Sequence, residues 1–253
     1  MMNNIMRYEL KKIFKCKPIY CSIIIVFVLT ILVNLFVALN MNGITRYAIP
    51  INTVYIFSSI LIFSIFLAIS TYILGIEYKF DTMKIIKTKK TLEGKILASK
   101  IVSVILYSLV ITAEVFIISI IVGMFFESGD TFEIATNSVI PEDQGVIFLM
   151  KIFLLQAVGN ISIAALAVSI LSILKKVEIS TIVTIVIMLF CFIASMFVKG
   201  NILEYILPFN NYNSVEIALS NDLNMWIILM KRIIYSAIFM YIAYFRYKNL
   251  DLE

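Results

Sequence analysis

The sequence predicts an all-α polytopic membrane protein, and three observations predict it. Of the 253 residues, 62% are hydrophobic and 15% are charged, where soluble chains carry about 45–50% and about 25%. The mean hydropathy is +1.02. Six stretches with at most two charges each approach the roughly 20 residues that a helix needs to cross a bilayer. The alternating ten-residue strands of a membrane barrel are absent.

Taken in order, residues 1–18 carry Met2, Met6, Leu10, Ile13 and Phe14 on one helical face and Arg7, Lys11 and Lys15 on another. That pattern suits an interfacial helix lying among headgroups, or a plain basic anchor. Pro18, tolerated in a first helical turn, precedes span one at about 19–39. Span two covers about 50–75. A polar segment, 77–100, separates it from span three at about 101–126, whose one charge is Glu114. Spans four and five cover about 146–174 and 179–198. An outer segment, 199–224, holds Pro208 among aromatic and aliphatic residues and leads to span six at about 225–245, which contains Lys231 and Arg232. The whole chain reads as one transmembrane domain.

Six spans place both termini on one side. The N-terminal tail, the 77–100 segment, the 175–178 link and the C-terminal tail hold sixteen of the 21 basic residues, and the opposite loops hold eight acids. Basic loops stay in the cytoplasm, so the expected topology is N-in, C-in. The net charge of +5 follows from this topology and does not point to nucleic acid. The first apolar run is longer than a signal-peptide core, so it is expected to remain as a helix. The cysteines, Cys16, Cys21 and Cys191, lie in the inner tail or in spans, and no disulfide framework is expected.

The missing residues narrow the chemistry. There is no histidine, so a Ser-His-Asp arrangement is excluded and the usual zinc and haem sites are not expected. No phosphate-binding G-x-x-x-x-G-K-[ST] loop occurs. If energy drives this protein, another chain is expected to supply it, and no cofactor is expected on this one.

The segment GIEYKFDTMKIIKTKKTLEGKILASKI, residues 75–101, holds seven lysines and three acids between two apolar runs. Either these charges fix topology as a solvated loop, or they form a docking surface for a soluble partner. Asp81 or Thr82 can cap a short helix from Met83 to Lys87, with the apolar pair Ile85–Ile86 among its lysines. Thr91 can cap the helix that becomes span three, with Glu93 in its first turn.

In layout and in several residues the chain resembles the membrane subunit of a type-two ABC exporter. The resemblance rests on the amphipathic Tyr8-Glu9-Leu10-Lys11-Lys12-Ile13-Phe14-Lys15 before span one, and on Glu77-x-x-x-Asp81-Thr82 after span two with Lys100 entering span three. The six-span layout of about 250 residues, with a long cytoplasmic loop and then a short one, adds to it. Asp81 stands where such exporters often have glycine, and Lys89-Lys90-Thr91 where they have a Pro-Ser-Arg-like turn. The resemblance implies a coupling helix formed by Glu77, Asp81, Thr82, Met83, Lys84, Ile85, Ile86 and Lys87, docked in a cleft of a cytoplasmic ABC ATPase. Lys175, Lys176 and Glu178 would make a short second contact. It also implies a second copy of this chain, or a sister permease, and alternating access as the mechanism. Small subunits of this kind are tied to export of, or immunity to, amphipathic peptides, including phenol-soluble modulins. Richness in Ile, Lys and Asn fits an AT-rich Gram-positive genome, and the expected location is the bacterial cell membrane.

Depth pairs the remaining charges. At 1.5 Å per residue, Glu114 lies about 20 Å from the inner face, or about 10 Å below the outer one. Residues 233–245 are too few to cross alone, which sets Lys231 and Arg232 at about the same depth. A Glu114–Lys231 or Glu114–Arg232 pair is expected, either locking helices or touching substrate. Gln156, Gly159 and Asn160, with the small stripe Ser162, Ala165, Ser169 and Ser172, read as helix packing. Two other functions stand beside export. A glutamate-dependent intramembrane protease would need polar groups converging on Glu114, and a non-transporting scaffold would need no partner ATPase.

Overall fold

Apolar segments without water to serve their backbone close their hydrogen bonds within a helix, and the computed structural model follows that rule over most of its length. It describes residues 16–40, 45–59, 70–73, 75, 93–127, 129–134, 138–197 and 213–248. Helix α1 (Lys17–Asn40) is followed by α2 (Ala48–Ser59), and residues 70–73 are again helical near the other end of the second expected span. Helix α3 (Glu93–Gly123) leads to a hairpin of β1 (Thr131–Glu133) and β2 (Val139–Pro141), then a 3-10 turn (Glu142–Gln144). Helices α4 (Gly145–Leu174), α5 (Val177–Phe197), α6 (Ser214–Leu219) and α7 (Asp222–Lys248) complete the described chain.

Four helices are long and apolar enough to cross a membrane: Lys17–Asn40, Ala98–Gly123, Glu142–Leu174 and Asp222–Arg246. They coincide with expected spans one, three, four and six. The chain is therefore an α-helical membrane protein. Expected span five falls on α5, whose apolar stretch Val177–Cys191 is shorter. The middle of span two and the interfacial helix expected at residues 1–15 lie outside the described residues.

Helix α4 is the hub. Within its most apolar window 78% of residues are buried, against 28%, 44% and 22% for α1, α3 and α7, so α4 alone is wrapped by the others. Its small residues allow this. Gly159, Ser162, Ala165, Ser169 and Ser172 are all buried, and small side chains let neighbouring backbones approach closely where lipid offers no hydrophobic drive. Around the hub, Phe116 of α3 packs edge-on against Phe153 with ring centroids 5.2 Å apart. Helix α1 buries one stripe, Ser22, Val26, Thr30, Asn34 and Val37, and leaves its other faces to the surroundings.

Several hydroxyls inside the bundle are satisfied locally. Thr30, Ser103, Thr112, Ser169 and Thr184 each donate to a carbonyl three or four residues back, at 2.7–2.8 Å. Such back-bonding makes the buried Ser and Thr residues small, nearly apolar spacers.

The all-α expectation omits one element, the hairpin. Thr131 pairs with Pro141, Phe132 with Ile140 and Glu133 with Val139 in antiparallel register. Phe132, Ile134 and Ile140 are buried, and the Phe132 ring sits 6.2 Å from that of Tyr47. Arg46 and Tyr47, just before α2, form the seat. Arg46 N–H donates to Glu127 O at 3.3 Å, and Arg46 Nε lies 3.0 Å from Glu142 Oε1 as an ion pair. The second carboxylate oxygen of Glu142 accepts the Gly129 N–H. The Arg46 guanidinium also lies 4.7 Å from the centre of the Tyr47 ring.

This seat leaves no room at two glycines. A Cβ on Gly123 would lie 2.3 Å from the Arg46 carbonyl oxygen, and one on Gly145 would lie 2.5 Å from Tyr47 Cδ2. Backbone cannot yield as a flexible side chain can. Gly123→Ala is therefore expected to destabilise the detergent-purified protein by about 2 kcal/mol, within the usual overpacking range, read as a lowered midpoint of thermal unfolding.

Candidate functional site

The two ends of the bundle differ in chemistry, and the membrane-depth interior between them holds most of its unusual polar groups. The hairpin end carries the acids Glu127, Asp130, Asp143 and Asp222, all exposed. At the opposite, basic end, Lys175, Lys176 and Glu178 are exposed in the link between α4 and α5.

That link is tight. Lys175 has φ 57 and ψ 6, and its N–H closes α4 onto Leu171 O at 2.9 Å. A left-handed cap is usually glycine, so a lysine here carries a steric cost of about 1–2 kcal/mol. Glu178 then falls in the first turn of α5, where the helix dipole favours a negative charge.

The far end of the second span docks on this link. Thr71 and Thr181 hydroxyls are 2.7 Å apart, and a Cβ on Gly75 would lie 2.1 Å from Val177 Cγ2. The absence of a side chain at Gly75 is what permits the contact. Residues 77–87, including Glu77, Asp81, Thr82, Met83, Lys84, Ile85, Ile86 and Lys87, lie outside the described residues. Gly75, the last described residue before them, lies against Val177 of the link.

Inside the bundle a hydrogen-bonded ladder joins three helices. Ser214 Oγ of α6 donates to Gln156 Oε1 at 2.7 Å, and Gln156 Nε2 donates to Asn160 Oδ1 at 3.2 Å. Asn160 Nδ2 donates to Thr112 Oγ1 of α3 at 2.9 Å, and Thr112 Oγ1 donates to Ser108 O at 2.8 Å. Every donor points the same way along the chain, so each bond polarises the next. Beside it, Arg232 is buried at 3% exposure and its Nη1 donates to Leu155 O at 2.7 Å. That carbonyl also takes the ordinary helix bond from four residues on, and its second lone pair receives the guanidinium.

Depth alone suggested a Glu114–Lys231 or Glu114–Arg232 bridge. Arg232 lies on the Leu155 carbonyl, and Glu114 Oε2 is buried without a hydrogen-bond partner among the described residues. The same carbonyl lies within α4, so sequence spacing between charged residues could not reveal it. Lys151 bonds Asp222 at 2.7 Å and ties α4 to the start of α7. Both groups are open enough to the surroundings that the pair contributes little, within about 0–1 kcal/mol.

Sequence reasoning found Gln156 and Asn160 but missed their partners Thr112 and Ser214. A Ser or Thr gives no signal of its own in an apolar run. Chemically, the ladder positions helices and supplies no nucleophile with a base. Thr112 and Glu114, two residues apart, point about 200° apart around α3, so the carboxyl does not converge with the ladder. Among the described residues no group of three or more His, Cys, Asp or Glu could hold a metal ion.

The Asn160–Thr112 bond has a measurable value. A double-mutant cycle of Asn160→Leu and Thr112→Val is expected to give a coupling energy of about 1 kcal/mol, typical of hydrogen bonds between membrane helices, in unfolding from mixed micelles. In the opposite direction, Lys175→Gly is expected to stabilise by about 1 kcal/mol through relief of the left-handed cap.

No known protein family and no curated protein matches this chain.

Proposed function

We propose that the chain is the membrane subunit of a bacterial ATP-driven exporter of amphipathic peptides, with its basic end in the cytoplasm. A separate ABC ATPase grips that end through the polar segment after span two and through Lys175–Glu178. The observation that carries this reading is the packing of Gly75 onto Val177. It brings Gly75, just before the polar segment in sequence, against the start of α5 beside Lys175–Glu178, which supports one partner of compact shape reaching both.

A mechanical route follows from the same contacts. Nucleotide binding by a pair of ATPases pushes on the segments rooted at Gly75 and Lys175. The αL cap at Lys175 closes directly onto α4, so the push reaches the hub instead of dissipating in a loop. From α4 the ladder passes it to α3 through Asn160–Thr112 and to α6 through Gln156–Ser214. A second copy, or a sister permease, moves in the same way, and the cavity between the two alternates in access. ATP and magnesium belong to the partner, and this chain supplies the lever.

The test is purification of the tagged chain from its host in mild detergent, with co-purifying proteins identified and ATPase activity assayed. A near-stoichiometric ATP-binding protein is expected. Glu77→Ala with Asp81→Ala, and separately Lys175→Glu with Lys176→Glu, should each lower its recovery by about tenfold or more, the usual effect of removing charges from an interface. Recovery of the intact chain with no ATP-binding protein overturns the proposal.

A further inference from the structure

A carboxamide inside an apolar helix carries two N–H donors and an acceptor oxygen that lipid cannot serve. Asn34 of α1 is such a group, at 0% exposure. Its Oδ1 accepts from Thr53 Oγ1 of α2 at 2.6 Å. Its Nδ2 is buried with no hydrogen-bond partner among the described residues. Ser119 of α3 repeats the pattern: it is 0% exposed, and its Oγ is buried and unpartnered among the described residues. Thr30 and Thr112, on the same two helices, donate to the carbonyl four residues back. The Ser119 hydroxyl forgoes that bond.

Two separate registers bring these groups to one level. Helix α2 begins where α3 ends, and a Cβ on Gly123 would lie 3.4 Å from Pro50 Cδ. Thr53 follows Pro50 by three residues and Ser119 precedes Gly123 by four, so both lie one turn inward on the facing sides of α2 and α3. The second register links α1 to α3. The Ser22 and Tyr107 hydroxyls are 2.8 Å apart. Asn34 and Ser119 each lie twelve residues further on, about 18 Å along the axis. Asn34, Thr53 and Ser119 therefore share the junction of the three helices.

The stretches that meet there, 30–37, 50–57 and 115–122, hold no charged side chain, so an ion would find no counter-charge. A neutral molecule that accepts and donates at once is required. We propose that the junction is a binding site for a single structural water. The water accepts from Asn34 Nδ2 and donates to Ser119 Oγ and to a lone pair of Thr53 Oγ1, whose own proton goes to Asn34 Oδ1. About three hydrogen bonds is the usual number for a buried water. It ties α1, which buries only one stripe, to both α2 and α3. The site does not depend on the export reading.

The test is the sign of one substitution in the full chain, purified in mild detergent. Alanine is the better helix former and leaves no buried hydroxyl. If nothing bonds Ser119 Oγ, Ser119→Ala should therefore raise the midpoint of thermal unfolding. With the water in place the substitution removes a partner, and the midpoint is expected to fall by about 2–4 °C. Hydroxyl radicals released from bound water by an X-ray pulse supply a second readout. Oxidation of Val54 and Val115, both buried, is expected in the native chain and should be lost in Ser119→Ala. Val168, buried in α4, should stay unmodified in both. An unchanged or raised midpoint overturns the proposal. A lowered midpoint without oxidation of Val54 or Val115 also overturns it and makes another protein group the partner of Ser119. Equal oxidation of Val168 overturns it as well, because the interior would then be wet throughout.

Discussion

Within an apolar bundle the protein must itself supply every hydrogen bond, and this requirement organises the structure around α4. A central helix wrapped on all sides can carry only small or fully paired polar side chains. Helix α4 obeys this with Gly159, Ser162, Ala165 and Ser169 along its buried faces and with Gln156 and Asn160 placed inside a continuous ladder. The other helices then need to bury only one stripe each. That is why α1 and α7 can leave most of their apolar surface open and remain attached, as helices solvated by lipid do. Arg232 is the extreme case: a guanidinium at 3% exposure that takes the carbonyl of Leu155 as a partner.

The requirement also separates the two ends. At the hairpin end Arg46 links the start of α2 to Glu142 and Glu127, and the glycines at 123 and 145 let backbone and ring close over one another. Few adjustments are available there. At the basic end the described contacts include a left-handed turn at Lys175, a hydroxyl pair at Thr71 and Thr181, and the Gly75–Val177 approach. On the proposed reading, a force applied at the basic end is passed through the closed Lys175 cap to a helix whose other end is clamped. This asymmetry suits a lever worked from one side.

Much of this was legible in the sequence because lipid imposes a simple code. The boundaries of α1, α4 and α7 fall within a few residues of the apolar runs, since length and hydropathy define a crossing. Helix α3 starts earlier than its apolar run, at Glu93, because a helix continues past the hydrocarbon wherever its backbone remains paired. The hairpin was not read: three-residue strands are too short for a periodic signal, although Phe132 and Ile134 alternate and Asn137-Ser138 supplies turn residues. The expected charge pairing rested on depth alone, which names no neutral partner. Charges at equal depth suggest each other only if no neutral partner competes, and a main-chain carbonyl, invisible in sequence, bonds Arg232. The ladder was half visible, as Gln and Asn stand out in an apolar span while Ser214 and Thr112 do not.

The functional proposal depends on which end of the bundle faces the cytoplasm, because an ATPase can reach only that one. The most direct measurement is labelling of single cysteines, introduced after replacing Cys16, Cys21 and Cys191 with serine, by a membrane-impermeant maleimide applied to intact cells. Asp130→Cys, in the exposed turn before β1, should be labelled from outside. Glu178→Cys, at the basic end, should be labelled only after the cells are permeabilised. The reverse pattern would put the lysine-rich segments outside the cell, beyond the reach of any ATPase, and would contradict the account.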